Sequence, residues 1–103
     1  IKVGYKQGIN VITLDSFCRK MKIIPDHIKI DVDGLEHRVI KGALESITQA
    51  KTVIIELNTN LKEHMDLVSL IKSLGFKLDE TQVNQSLRKD GIYLNVGEHL
   101  FYK

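Results

Sequence analysis

Two short apolar runs separated by one amphipathic stretch limit the fold of this chain more than anything else in it. Ile28, Ile30 and Val32 alternate with Lys29 and Asp31, and the run stops at Asp33-Gly34, the pattern of a strand ending on carboxylates. From Glu36 onward, Val39, Ile40, Ala43, Leu44 and Ile47 recur at helical spacing, with Arg38, Lys41 and Glu45 on the other side, which predicts an amphipathic helix. Thr52 to Leu57 is a nearly continuous apolar run and suits a parallel strand covered on both faces. Strand, helix and strand together make a βαβ unit, whose right-handed crossover sets the two strands side by side and parallel.

The flanking segments extend the same architecture. Ile9 to Leu14 is rich in β-branched residues, and Asp15 offers an N-cap for a short helical turn carrying Phe17 and Met21, which Pro25 stops. Asn60 followed by Glu63 forms a capping pair for a second long helix with the stripe Leu61, Met65, Val68, Ile71 and Leu74, closed by Gly75. Phe76 to Leu78 reads as a further strand, Asp79 to Gly91 as a polar surface excursion, and Ile92 to Val96 and His99 to Tyr102 as strands flanking a Gly97-Glu98 hairpin turn. The predicted fold class is therefore α/β, with a mainly parallel sheet and an antiparallel strand at the C-terminal end.

With 103 residues the chain is one small domain or part of one. Hydrophobic residues at 43% and charged residues at 27% are those of a globular core-forming chain. Fifteen Lys and Arg against 13 Asp and Glu leave a formal charge of +2, too small to mark a nucleic-acid partner. Apolar runs are too short to span a bilayer, and no membrane partner is expected. The single Cys18 forms no internal disulfide, which suits a cytoplasmic protein. The start at Ile1-Lys2-Val3, without Met or a polar lead-in, leads us to expect that residues 1–103 begin inside a longer chain.

In open α/β sheets ligands bind beyond the carboxyl ends of the strands, here near Asp31 to Gly34 and near Glu56 to Asn58. Asp31, Asp33 and Glu36 bring three carboxylates within six positions beside a glycine. Asp31 and Asp33 project to one side while the strand stays regular, and Glu36 begins the next helix, where its charge suits the helix dipole. A helix cap and a tight turn account for Glu36 and Asp33-Gly34 equally well; they account less well for Asp31. Such a cluster raises one member's pKa or attracts a cation, although spacing alone identifies no metal site.

Ile30-Asp31-Val32-Asp33-Gly34-Leu35-Glu36 resembles the Ile-Asp-Val-Glu-Gly-x-Glu signature of FkbM-type methyltransferases. Thr13-Leu14-Asp15 before it, Ile40-Lys41-Gly42-Ala43 after it, and Val53 to Leu57 match further segments of that family. The resemblance spans roughly Ile9 to Leu78, with Asp33 in place of the commoner Glu, and His99 to Tyr102 is similar to the family's closing strand. It implies a Rossmann-like class I fold with Ile28 to Asp33 as a central strand, S-adenosylmethionine as cofactor, and transfer of a methyl group to a hydroxyl oxygen of a small molecule or sugar. On that reading Asp31 is nearest the transferred methyl, Asp33 and Glu36 orient the acceptor or hold a cation, and Glu56 and Asn58 line the opposite wall.

The family's glycine-rich cofactor loop has no counterpart here, since the seven glycines are scattered without G-x-G spacing. Residues 1–103 are accordingly expected to be the C-terminal part of a single methyltransferase domain, inactive alone, binding the cofactor weakly, and self-associating through the exposed edge of Ile28 to Asp33. Two other classes stay open. Asp31-Val32-Asp33-Gly34 also resembles the nucleophile motif of haloacid-dehalogenase phosphatases, although Leu35 stands where Thr is expected, and a non-catalytic interaction module is the third. An EF-hand-like calcium loop fits poorly. His27, His37, His64 and His99 lack ligand spacing and read as surface or helix-end residues, Cys18 as packing, and Lys29 as a residue snorkelling from a strand edge in preference to one contacting an acidic neighbour.

Overall fold

The computed structural model describes residues 12–31, 36–91 and 95–103. In chain order they form α1 (Leu14–Met21), β1 (His27–Ile30), α2 (Glu36–Lys41), α3 (Leu44–Gln49), β2 (Thr52–Asn58), α4 (Lys62–Ser73), β3 (Lys77–Leu78), α5 (Glu80–Ser86) and β4 (Val96–Tyr102). The sheet order is β1-β2-β4-β3. β1 and β2 are parallel, and β4 is antiparallel to both β2 and β3. The final strand thus inserts between β2 and β3 and reverses direction in an otherwise parallel sheet. This mixed α/β sheet fits part of a Rossmann-like methyltransferase fold.

The predicted strands bury one face. Ile28 and Ile30 of β1, Val53, Ile55 and Leu57 of β2 and Phe101 of β4 join Ile40, Ala43 and Ile47 of the α2–α3 segment and Leu67, Val68 and Ile71 of α4 in one core. Burial alternates strictly along β2, so Ile54 and Glu56 on the second face are only half-buried. The apolar run of β2 is therefore not covered equally on both sides among the described residues. That second face is crossed by charge pairs: Lys29 reaches Glu98 at 3.7 Å and Arg88 reaches Glu56 at 3.6 Å. Lys29 is exposed on an edge strand, and it makes the contact with an acidic neighbour that the snorkelling reading disfavours.

The single predicted helix after Glu36 is two. α2 ends at Lys41, α3 starts at Leu44, and the joint is fixed by α1. Gly42 accepts a backbone hydrogen bond from Asp15 at 2.9 Å, and a Cβ on Gly42 would stand 2.7 Å from Thr13 Cγ2 and 2.8 Å from Thr13 Cβ, so only glycine admits this approach. Asp15 does not cap its own helix. Thr13 is the N-cap, its hydroxyl accepting from the Ser16 N–H, and Leu14 belongs to the helix. The Asp15 carboxylate instead crosses to α3, accepting from the Glu45 N–H at 3.1 Å, the Ser46 N–H at 2.8 Å and the Ser46 hydroxyl at 2.7 Å. It satisfies first-turn donors that have no partner within their own helix. The rest of the predicted Ile9 to Leu14 strand, Ile9 to Val11, lies outside the described residues.

Other expectations change where tertiary contacts override local signals. Leu61, not Asn60, is the N-cap of α4, without a side-chain cap bond; the Asn60 N–H turns back to Asn58 Oδ1 at 2.9 Å. Gly97 and Glu98 are no turn but the interior of β4, paired with Leu57 and Glu56. Glycine is needed there because a Cβ would meet Ser86 Oγ at 2.9 Å and the Leu87 nitrogen at 3.0 Å. The polar segment after β3 contains α5, whose polar side chains serve the edge of β4 where β3 stops. Gln82 accepts from the Leu100 N–H at 3.0 Å, and the Ser86 hydroxyl donates to the Glu98 carbonyl at 2.8 Å.

Two stability predictions follow from the α1–α3 joint. Burial raises the Asp15 pKa, but the hydrogen bonds from Ser46 and Glu45 and the Arg19 charge outweigh it, and the net value is lowered. A depressed folded pKa gives stability that is present above the unfolded value of about 3.9 and is lost as pH falls through the folded value. Asp15→Ala should cost about 1–2 kcal/mol at neutral pH, with the difference from wild type closing in acid, as read by urea denaturation across pH. Gly42→Ala, which forces backbone apart at Thr13, should cost about 1–3 kcal/mol in the same assay.

Candidate functional site

The parallel pair β1–β2 carries its site residues at its C-terminal ends. Asp31 follows directly on β1 and is exposed. Since Ile28 and Ile30 are buried and Lys29 is not, strand alternation directs Asp31 to the half-exposed sheet face. The last printed partners are Ile30 and Ile55, and continuing that parallel register by one position sets Asp31 alongside Glu56. Asp33, with Gly34 beside it, lies outside the described residues. Glu36 is the first residue of α2, at the helix start where the sequence put it. Asp31 and Glu56 thus both lie at the C-terminal end of the parallel pair, each one position beyond the Ile30–Ile55 pairing, while the three-carboxylate cluster is described only through Asp31 and the backbone position of Glu36.

Glu56 and Asn58 are half-buried and two apart in β2, on the same side of the strand. Glu56 is held by Arg88 at 3.6 Å, which fixes the direction of its carboxylate. Arg88 enters through a backbone pairing with β4: its N–H donates to Val96 and its carbonyl accepts from Asn95. Asn58 ends β2. Its N–H donates to His64 Nδ1 at 2.8 Å and its Oδ1 accepts from Asn60, so the carboxamide is oriented by the turn into α4. Accepting at Nδ1 places the His64 proton on Nε2.

Sequence reading missed His64, Arg88 and His99. His64 and Arg88 act on site residues through contacts that no local spacing encodes. His99 is not a surface residue; it is 2% exposed, standing opposite Ile55 in the sheet, with Nδ1 2.9 Å from the Gly97 carbonyl. Burial lowers its pKa, the Gly97 carbonyl and Glu80 raise it, and His64 lowers it, with a net shift downward. The alternating burial of β4 was the available signal, hidden by reading Gly97 as a turn. Cys18 is buried as packing expects.

The tips of β1 and β2 offer one exposed carboxylate, one ion-paired carboxylate and one oriented carboxamide. That donor set suits a hydroxyl acceptor, which can donate to a carboxylate and accept from an amide. An open groove of about 320 Å³ that includes Cys18, Ile23 and Ser46 lies between α1, the loop into β1 and α3. Among the described residues no three His, Cys, Asp or Glu side chains converge as metal ligands.

No curated protein and no solved structure matches the chain. Residues 2–78 match the family model of the methyltransferase FkbM domain, a span that includes α1, the β1 tip, the Gly42 joint and all of β2. Covering well over half of the 103 residues, that match makes the chain a member of the FkbM methyltransferase domain family.

Proposed function

We propose that the protein serves S-adenosylmethionine-dependent methyl transfer to a hydroxyl oxygen of a small molecule or sugar, and that residues 1–103 supply its acceptor side. The observation that carries this reading is Asp31, an exposed carboxylate directly after the parallel strand β1 and inside the matched segment. The cofactor would supply a methyl group already activated on a sulfonium. What remains for the protein is to align the acceptor oxygen and deal with its proton.

Asp31 accepts the hydroxyl hydrogen bond and takes the proton as the oxygen attacks. Asp33 and Glu36 orient the acceptor or hold a cation. Glu56, paired with Arg88, and Asn58, oriented by His64 and Asn60, form the facing wall. The cofactor is held mainly by a glycine-rich turn that these 103 residues do not contain, so alone they are inactive and bind it weakly. β1, an edge of the described sheet, then pairs with a second copy. Tight cofactor binding by strictly monomeric residues 1–103, in calorimetry and light scattering, would overturn this last point.

In the active protein, Asp31→Asn should lower kcat about 10²–10⁴-fold while the dissociation constant for S-adenosylmethionine changes little. Glu36→Gln should be milder and Cys18→Ser near neutral. Near-normal turnover by Asp31→Asn, measured with a radiolabelled methyl donor, would remove Asp31 from the mechanism.

A further inference from the structure

The small net charge is not spread evenly over the fold. At the end of the sheet opposite Asp31, the loop from α1 into β1 exposes Met21, Ile23 and Ile24 to 57%, 48% and 67%. These are half of the six large apolar side chains exposed among the described residues. Strand register places a fourth, Tyr102, at the same end, since it pairs with Thr52, which pairs with His27.

The same register gathers cations there. Lys22 is the C-cap of α1 in the left-handed conformation, with φ of 56°. Lys51 precedes β2, its N–H bonded to the Asp26 carbonyl at 2.7 Å, and Lys77 stands opposite Tyr102. Lys72 lies in the last turn of α4. All four are exposed. Arg19 is engaged by Glu45 at 3.2 Å, and Lys103 donates to the Thr48 carbonyl and lies over Phe76, so neither is counted. Asp26 is the opposing exposed carboxylate in the loop.

We propose that this end of the molecule docks on an anionic lipid surface. Exposed aliphatic tips next to Lys22, at the end of the sheet that also carries Lys51, Lys72 and Lys77, combine the two signals that hold a protein at a bilayer face, shallow apolar insertion and attraction to acidic headgroups, although Ile23 and Ile24 also border a groove that holds Asp15 and Glu45. A protein-binding patch would favour aromatic and arginine anchors and shed lysine from its centre. A nucleic-acid surface would have no use for three exposed aliphatic side chains. The docking leaves Asp31 at the far end of the four-residue strand β1, roughly 13 Å along the strand from the docking end. No helix of the described residues is long and apolar enough to cross a membrane, so the contact is peripheral.

The test is co-sedimentation of the full chain with vesicles of phosphatidylcholine alone and of phosphatidylcholine mixed with phosphatidylserine, at low and physiological salt. Binding to the mixed vesicles only, weakening with salt, is expected. Ile23→Ser with Ile24→Ser should lower partitioning at least about tenfold, and Lys22→Glu with Lys51→Glu and Lys77→Glu should abolish it. All five side chains are exposed or half-exposed, so circular dichroism and the melting midpoint should not change; should one set misfold, the other decides. Failure to bind the mixed vesicles at low salt overturns the proposal. So does binding that neither set of variants alters, or binding to duplex DNA of comparable strength that ignores Ile23 and Ile24.

Discussion

The Asp15 carboxylate is the contact on which the arrangement of helices and strands depends. It stands on α1 and closes the N-terminus of α3, 31 positions along the chain at Ser46, while its own N–H holds the Gly42 carbonyl at the end of α2. Three donors converge on one side chain, and a cap of this kind is worth about 1 kcal/mol per satisfied terminus. Its structural effect is larger than that figure. By ending α2 at Gly42 and restarting the helix at Leu44, it lets Ile40, Ala43 and Ile47, all fully buried, face the same sheet. The two sequence segments around Thr13-Leu14-Asp15 and Gly42-Ala43 are therefore one structural unit, and the absence of a side chain on Gly42 is what lets Thr13 approach.

The parts of the fold visible in the sequence are those written locally. The βαβ unit could be read because alternation in β1, the apolar run of β2 and the helical period between them are each short-range signals. The Gly97-Glu98 misreading arose because glycine in a strand and glycine in a turn look alike until the neighbouring chain is known. Ser86 and Leu87 supply that neighbour, and nothing near Gly97 in sequence announces them. The polar α5 segment failed for a related reason. Gln82 and Ser86 look like solvent-facing residues, yet their partners are backbone groups of β4. At the site, Asp31, Glu56 and Asn58 could be named from strand ends alone, whereas Arg88 and His64 reach them from segments 32 and 6 residues away, as 88 − 56 and as the separation of Asn58 from His64. The family match across residues 2–78 then sets the Asp-x-Asp-Gly motif in a methyltransferase and not in a phosphatase.

The separation of charge between the two ends of the sheet has a simple origin. In a βαβ crossover each helix runs back against its strands, so helix N-termini gather at the strand tips and helix C-termini at the opposite end. The helix dipole favours acidic residues at the first and basic residues at the second. α4 has Glu63 in its first turn and Lys72 in its last, and α1 has Asp15 first and Arg19 and Lys20 last. Local stabilisation of each helix thereby gathers basic residues at the end opposite the strand tips, with no further selection required. A carboxylate such as Asp31 sits where the architecture already collects acids. The exposed aliphatic side chains of Met21, Ile23 and Ile24 have no such explanation, because neither the dipole nor the core has any use for them. Their position among the lysines is what the general rule leaves over, and it is why that end of the molecule, more than the acidic tip, points to something outside the chain.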